Sequence, residues 1–329
     1  MTPATGPGRP QDGALPLTLA DIQIRDPYVL TLGDSYLLFG STDADIWNPP
    51  GGGFDCYRSS DLTTWDGPVA AFRPPAGFWA DRNFWAPEAH QYRGSWYLFA
   101  TFKAEGVCRG TQILRSDRPE GPYVPHSDGP VTPREWECLD GTLHVDADGR
   151  PWIVFCHEWV QVMDGEVVAQ RLSDDLRTAV GEPVVLFRAS AAPWALPLRH
   201  PRLPEHVKAF VTDGPFVHRL ASGALVMLWS SFGTAGYAMG IARSESGSVL
   251  GPWDQEPEPI WAADGGHGMI ARTLGGGLFL TLHQPNRTPD ERAVFRPLVE
   301  TATSVRLADA DRPSQTDRLT DSPDQETAR

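Results

Sequence analysis

The apolar residues of this chain occur in short runs rich in Val, Leu, Phe, Tyr and Trp, and turn residues separate the runs. Five segments repeat one plan, which is a short motif, a strand, a turn containing glycine and a second apolar strand. They begin RDPYVLTL, WAPEAHQY, LDGTLHVD, TDGPFVHRL and GGHGMIARTL. Several continue into a third strand, as in CYRSSDLTTW and GIARSESGSVLGPW. The pattern predicts an all-β protein built from repeated antiparallel units.

The interval between the repeats indicates the architecture. The segment starts are marked, about 50–70 residues apart, by Asp26, Glu88, Asp140, Asp213 and His267. A four-stranded propeller blade takes about 40–50 residues, and added loops account for the difference. We therefore predict a five-bladed β-propeller over residues 19–307. The alternative is a β-sandwich, which gives no reason for five units to start with similar motifs.

Three segments fall outside this repeat. Residues 1–18 and 308–329 are rich in Pro, Asp and Thr without apolar periodicity, and both are predicted to be disordered. Residues 188–208 contain many prolines and are predicted to form a loop inserted between the third and fourth blades.

Composition and charge exclude several functional classes. The 32 glycines and 31 prolines are too many for a helical bundle, and a net charge of −14 disfavours binding to nucleic acid. No stretch approaches the ~20 apolar residues of a membrane helix, and no secretory h-region is visible. A protein without membrane partners is expected, with a cytoplasmic location by default. The four cysteines lack CxxC spacing, so free thiols are expected and structural zinc is not.

Carboxylates mark four of the five segment starts. The innermost strand of every blade begins at one mouth of the central channel, so these side chains should converge there. A ring of acids is costly unless some are protonated, hydrogen-bonded or bound to a cation. Glycosidic hydrolysis is a natural use, since it needs one carboxylate as base and one carboxylic acid as proton donor.

The motifs RDPYV, WAPE, LDGTLHVDADG and GGHG, in this order, resemble those of glycoside hydrolase family 43 over most of residues 20–300. That family consists of inverting five-bladed propellers acting mostly on furanosides and xylosides. The resemblance implies an oligosaccharide or polysaccharide substrate. It assigns Asp26 as the base that activates water, and Asp140 as the carboxylate that raises the pKa of the acid and orients it.

The proton donor departs from the family pattern. The family usually has Glu-Gly-Pro at the fourth blade, where this chain has Asp213-Gly214-Pro215. Aspartate is one methylene shorter, which withdraws the carboxyl by about 1.5 Å. Glu158, at the end of a returning strand, is the second candidate, because flanking aromatic residues would raise its pKa. Glu158 is slightly favoured as the acid, with Asp213 as a sugar ligand, and the reverse assignment stays open.

Further candidates surround the predicted mouth. His267 matches a family position near the channel axis, often beside a bound cation, and implies a candidate metal site, with calcium as the expected ion. Arg25 is expected to lower the pKa of Asp26 or to pair with a surface acid. Candidate sugar ligands are Asp43, Trp85, Glu88, His157, Trp229 and His283.

The sequence therefore predicts an inverting, exo-acting glycosidase that removes a terminal furanose, with arabinofuranose first and galactofuranose second. β-Xylosidase and endo-arabinanase activities remain within the same family. Two alternatives are a retaining propeller glycosidase with a carboxylate nucleophile and a non-catalytic carbohydrate-binding propeller.

Overall fold

The computed structural model describes residues 16–198, 200, 203, 204 and 206–308. Five antiparallel sheets of four strands each make up this part of the chain, and every sheet uses four consecutive strands. This arrangement is a five-bladed β-propeller, which confirms the predicted fold and excludes the sandwich.

The first three blades follow the chain in order. Blade 1 contains β1 (Arg25–Thr31), β2 (Tyr36–Ser41), β3 (Phe54–Ser59) and β4 (Asp66–Phe72). Blade 2 contains β5 (Arg82–Tyr92), β6 (Ser95–Ala104), β7 (Val107–Ser116) and β8 (Val124–Pro130). Blade 3 contains β9 (Cys138–Val145), β10 (Pro151–His157), β11 (Glu166–Leu172) and β12 (Ala179–Arg188).

The remaining two blades complete the ring. Blade 4 contains β13 (Asp213–Arg219), β14 (Leu225–Gly233), β15 (Gly236–Ser244) and β16 (Asp254–Gln255). Blade 5 contains β17 (Ile270–Arg272), β18 (Leu278–Gln284), β19 (Arg292–Glu300) and β20 (Val305–Leu307). The short helix α1 (Trp159–Val162) follows β10, and 3-10 turns lie at Leu19–Asp21 and Ala189–Ala191.

Burial decreases from the inner strands to the outer ones. All six residues of β2 are buried, whereas the first five residues of β4 are exposed. The inner strands are therefore continuous apolar runs, because both of their faces pack against neighbouring blades. The outer strands tolerate the polar residues and prolines that the sequence places there.

The ring closes without a shared strand, since blade 1 uses only N-terminal strands and blade 5 only C-terminal ones. Side-chain hydroxyls join the two blades instead. Thr31 Oγ1 donates to the Arg272 carbonyl at 2.6 Å, and Thr281 Oγ1 donates to the Pro27 carbonyl at 2.9 Å.

The predicted segments outside the repeat have different outcomes. The Pro-rich segment does connect blade 3 to blade 4, as predicted. Most of residues 1–18 and 308–329 lie outside the described residues. The backbone N–H and C=O groups of Leu17 both form hydrogen bonds with the backbone of Trp65, so the folded part begins before residue 19 and the predicted boundary is too late.

All four cysteines are free thiols, as expected. Among the described residues, no helix has the length and apolarity that crossing a bilayer would require.

Trp229 lies in the core rather than at the mouth. Its side chain is fully buried, its ring contacts those of Phe187 and Trp194, and its Nε1 donates to Gln255 at 3.0 Å. The sequence pattern predicted a sugar contact for Trp229. That prediction is wrong, because the packing of blade 3 against blade 4 encloses the indole ring.

Replacing Trp229 therefore tests packing. Trp229→Ala is expected to lower the free energy of unfolding by about 3–5 kcal/mol, because it removes a large buried ring and leaves a cavity. Val124→Ala, on the exposed edge of blade 2, should change it by less than about 0.5 kcal/mol. Chemical denaturation of both variants measures the difference. A Trp229→Ala variant of unchanged stability would contradict this placement.

Candidate active site

Every blade begins with the same irregularity. The pairing register between its first two strands shifts by one residue, as in a β-bulge. One residue in each bulge has a positive φ, and these bulge residues are Asp26 (55°), Ala86 (46°), Asp140 (58°), Gly214 (52°) and His267 (44°). The five bulge residues are thus structurally equivalent, and the three ionisable ones meet at the channel axis.

This register corrects two of the predicted blade markers. Glu88 lies two residues beyond the true blade 2 position, Ala86, and Asp213 lies one residue before the true blade 4 position, Gly214. The sequence comparison aligned acidic residues, whereas the bulge determines the equivalence. Each bulge residue is followed by Pro or Gly, and this signal was available in the sequence.

Asp26 and Asp140 both approach the same ring nitrogen of His267. His267 Nδ1 is 3.1 Å from Asp26 Oδ1 and 3.6 Å from Asp140 Oδ2. Ser41 Oγ donates to Asp26 at 2.7 Å, and the Gly214 N–H donates to Asp140 at 3.1 Å. All of these groups are largely withdrawn from solvent, so their charges interact strongly.

The charge of each group follows from this arrangement. Burial acts to raise the pKa of Asp26, but His267 and Arg25 outweigh it and hold the pKa below its ordinary value. Burial raises the pKa of Asp140 to about 7, and the charges of Asp213 and Asp26 add to this effect. Burial acts to lower the pKa of His267, yet Asp26 and Asp140 outweigh it and the net pKa is raised. Asp26 is therefore ionised near neutral pH, and its charge together with that of Asp140 favours the protonated form of His267.

Asp213 lies next to this group. The Tyr237 hydroxyl donates to Asp213 Oδ2 at 2.8 Å. Burial raises the pKa of Asp213, and the charge of Asp26 adds to it, whereas His267 and the Tyr237 hydrogen bond oppose the rise. This carboxyl therefore retains a proton more readily than an ordinary aspartate.

Glu158 lies further out, at the start of α1. It forms a close ion pair with Arg109, whose guanidinium stacks over the Trp85 ring at 4.5 Å. Burial raises the pKa of Glu158 and the charge of Asp213 adds to it, whereas Arg109 opposes the rise. The charge of Asp213 thus acts on Glu158, and a cation acts on each of the two acids: His267 on Asp213 and Arg109 on Glu158.

Arg25 contacts Asp26, as one of the two predicted alternatives has it, and its second partner is a buried acid rather than a surface one. Its Nε lies 3.6 Å from Asp26 Oδ1, and its Nη1 lies 3.1 Å from the buried carboxylate of Glu291. Arg25 therefore lowers the pKa of Asp26 while being held in place by a second acid.

The structure brings Trp85 to the mouth, half-buried and edge-to-face with the exposed Trp47. Asp43 accepts the Gly52 N–H at 2.9 Å and so supports a loop. Its predicted contact with a sugar is not supported.

Three other predicted sugar ligands are engaged elsewhere. His283 is fully buried, with Nδ1 accepting the Asp26 N–H and Nε2 beside Asn286. Glu88 is buried against His90 and accepts a hydrogen bond from Thr142. Protein groups thus engage both side chains, and their contact with a sugar stays a prediction.

His157 has both ring nitrogens occupied, by Glu166 at 3.1 Å and Gln161 at 2.9 Å. Its ring stacks on Trp136 at 4.2 Å. His157 therefore supports Trp136 rather than a sugar, which corrects the prediction.

Sequence reasoning missed Arg109, Asn83, Trp47 and Tyr237. Asn83 Oδ1 accepts a hydrogen bond from Arg109 at 3.4 Å. None of these residues belongs to a blade-start motif, and contacts between residues far apart in the sequence bring them to the mouth. Only the three-dimensional arrangement identifies them.

The residues around His267 fit calcium poorly. Nδ1 already faces two carboxylates, and the described part of the chain contains no group of three His, Cys, Asp or Glu residues placed to hold a metal ion. Calcium takes six to eight oxygen ligands. No chemical step below involves a metal.

Comparisons with known proteins agree with this fold. The family described as glycosyl hydrolases family 43 matches residues 20–299. An endo-arabinase structure from Bacteroides thetaiotaomicron VPI-5482 is 42% identical, with a TM-score of 0.80, and the match covers 88% of this chain and 99% of that one.

Two curated relatives match more distantly. An extracellular exo-α-(1→5)-L-arabinofuranosidase from Cellvibrio japonicus is 26% identical over 178 residues, covering 49% of this chain and 47% of the relative. An extracellular endo-α-(1→5)-L-arabinanase from Bacillus subtilis is 24% identical over 149 residues, covering 41% and 44%. The chain spans about half the length of these two relatives. The match to residues 20–299 nevertheless extends over all five blades, and this chain belongs to family 43 of the glycosyl hydrolases, enzymes that hydrolyse O-glycosyl bonds.

Proposed function

We propose that this chain is an inverting glycoside hydrolase that cleaves α-L-arabinofuranosyl linkages and releases terminal arabinofuranose from an oligosaccharide or polysaccharide. The observation that carries the chemistry is the pairing of an ionised Asp26 with proton-retaining carboxyls at one channel mouth. The arabinose-directed names of the similar proteins support the choice of sugar. Glycosides of galactofuranose and xylose serve as the comparison substrates.

Asp26 acts as the general base. Its depressed pKa keeps it ionised, and Ser41 together with His267 holds its carboxylate in one orientation. Asp26 takes a proton from water while the water oxygen forms a bond to the anomeric carbon on the face opposite the leaving group. The configuration of that carbon is thereby inverted.

Asp213 acts as the general acid. As the bond between the anomeric carbon and the glycosidic oxygen breaks, that oxygen takes the proton from Asp213. Burial raises the pKa of both candidate acids, but Asp213 lies with Asp26 and Asp140 at the channel axis, whereas Glu158 lies further out in an ion pair with Arg109. This difference reverses the preference drawn from the sequence. Glu158 and Arg109 then bind sugar hydroxyls at the outer part of the mouth.

Cleavage inside an arabinan chain is the second candidate. The 42% identical structure carries the name endo-arabinase. Chromatography of early products from a linear arabinan distinguishes the two modes, since release of terminal sugars gives arabinose alone and internal cleavage gives a series of oligosaccharides.

Matched amide variants separate the two candidate acids. Asp213→Asn is expected to retain activity on a dinitrophenyl arabinofuranoside, whose leaving group needs no proton, and to lose about 10²–10⁴-fold on arabinobiose. Glu158→Gln should lower the activity on both substrates by a similar factor. Steady-state kcat and kcat/KM values provide the comparison. A leaving-group dependence in Glu158→Gln and none in Asp213→Asn would contradict the assignment, and a wild-type protein inactive on every furanoside would contradict the function.

The pH profile follows from the same charges. Because the pKa of Asp26 lies below its ordinary value of 3.8, kcat/KM on arabinobiose should persist down to about pH 4. Asp140 loses its proton as the pH rises through about 7, and the pKa of Asp213 is also raised, so kcat/KM should fall toward higher pH as the acid loses its proton.

Tyr237→Phe tests whether the fall at high pH comes from Asp213. Loss of the hydrogen bond to the ionised form of Asp213 raises its pKa, so the fall at high pH should move upward. A profile that rises through pH 7, or a downward shift in Tyr237→Phe, would contradict these assignments.

A further inference from the structure

The bulge residues take part in a circle of hydrogen bonds between adjacent blades, which we call the N–H circle. In each blade, the second strand carries one side chain opposite the residue that precedes the bulge. In four of the five blades, that side chain accepts the backbone N–H of the bulge residue in the next blade. The four such bonds run from Ala86 to Ser41 Oγ (2.9 Å), Asp140 to Thr101 Oγ1 (2.8 Å), His267 to Ser230 Oγ (2.9 Å) and Asp26 to His283 Nδ1 (3.2 Å).

The third blade departs from this rule. Its second strand carries Cys156 at the equivalent position, opposite Leu139. A thiol sulfur is a weak acceptor, whereas hydroxyl oxygens and imidazole nitrogens are strong ones. The Gly214 N–H, which the rule would direct to Cys156, donates instead to Asp140 Oδ2 at 3.1 Å.

We propose that Cys156 is a positioning residue, which withholds a strong acceptor and so leaves the Gly214 N–H free to hold the Asp140 carboxylate. The inference rests on the proposed function, in which Asp213 is the general acid. Because Gly214 directly follows Asp213, this hydrogen bond ties the Asp140 carboxyl to the backbone that carries the acid. A shift of about 1 Å in such a group is enough to reduce turnover.

The surroundings of Gly214 leave little room for another arrangement. Its φ is 52°, and an added Cβ would lie 2.4 Å from His267 Cδ2. The backbone therefore approaches the imidazole as closely as glycine permits, with the N–H directed at Asp140.

Other roles for Cys156 do not fit its environment. The side chain is fully buried, and burial raises the pKa of the thiol well above its ordinary value. A buried neutral thiol is neither a nucleophile nor a redox group. What distinguishes Cys156 from its equivalents is its weakness as a hydrogen-bond acceptor.

Substitutions at this one position test the inference. Cys156→Ser restores the acceptor found in blades 1 and 4, so the Gly214 N–H should turn to the new hydroxyl. We expect kcat on arabinobiose to fall about 10- to 100-fold with KM within twofold and Tm unchanged or higher. Cys156→Ala, which adds no acceptor, should lower Tm through the lost packing while kcat falls no more than about threefold. Cys56→Ser, at a buried thiol in β3, is the control for polarity in the core.

The order of the two variants is the deciding result. A purely structural role for Cys156 would make alanine at least as harmful to kcat as serine, and that order would overturn the inference. A crystal structure of Cys156→Ser separates this outcome from failure of the proposed function. Gly214 N should lie within about 3.2 Å of the serine Oγ. An unchanged bond from Gly214 to Asp140, or a serine hydroxyl that bonds only to Thr212, would refute the inference even for a protein with no measured activity.

Discussion

The site depends on the compensation of buried carboxyls by positive charge. Asp26, Asp140 and Asp213 are withdrawn from water at one opening, and burying several acids together is costly unless a cation or hydrogen bonds compensate. His267 contributes that charge, 3.1 Å from Asp26 and 3.6 Å from Asp140. Because the compensation is unequal, the pKa of Asp26 is lowered while the pKa values of Asp140 and Asp213 are raised. The base and the acid differ through their surroundings rather than through residue type.

The propeller creates this arrangement by repeating one strained backbone position. A left-handed residue at the start of each innermost strand would be costly in isolation, and packing between blades maintains it. Where the position carries Asp26, Asp140 or His267 it contributes chemistry, and where it carries Ala86 or Gly214 it contributes only backbone. The N–H circle then links neighbouring blades, so the fold and the site share the same hydrogen bonds.

The sequence predicted what is local and repeated. Five units, the insertion between blades 3 and 4, and the motifs around Asp26 and Asp140 follow from patterns within short segments. Burial of Trp229 and His283 could not be predicted, because contacts between different blades enclose them. The pairing of Arg109 with Glu158 joins residues 49 positions apart, and no local pattern encodes it. The blade markers went wrong at Glu88 and Asp213 for a related reason, since register depends on strand pairing rather than on charge.

The stereochemistry of the reaction tests the central claim most directly. Proton NMR of an α-L-arabinofuranoside during the first minutes of hydrolysis identifies the anomer that forms before mutarotation. If Asp26 activates water on the face opposite the departing group, β-arabinofuranose should accumulate first. Accumulation of the α-anomer first would mean that a carboxylate attacks the sugar and forms a covalent intermediate, which would contradict the role of Asp26 as a base.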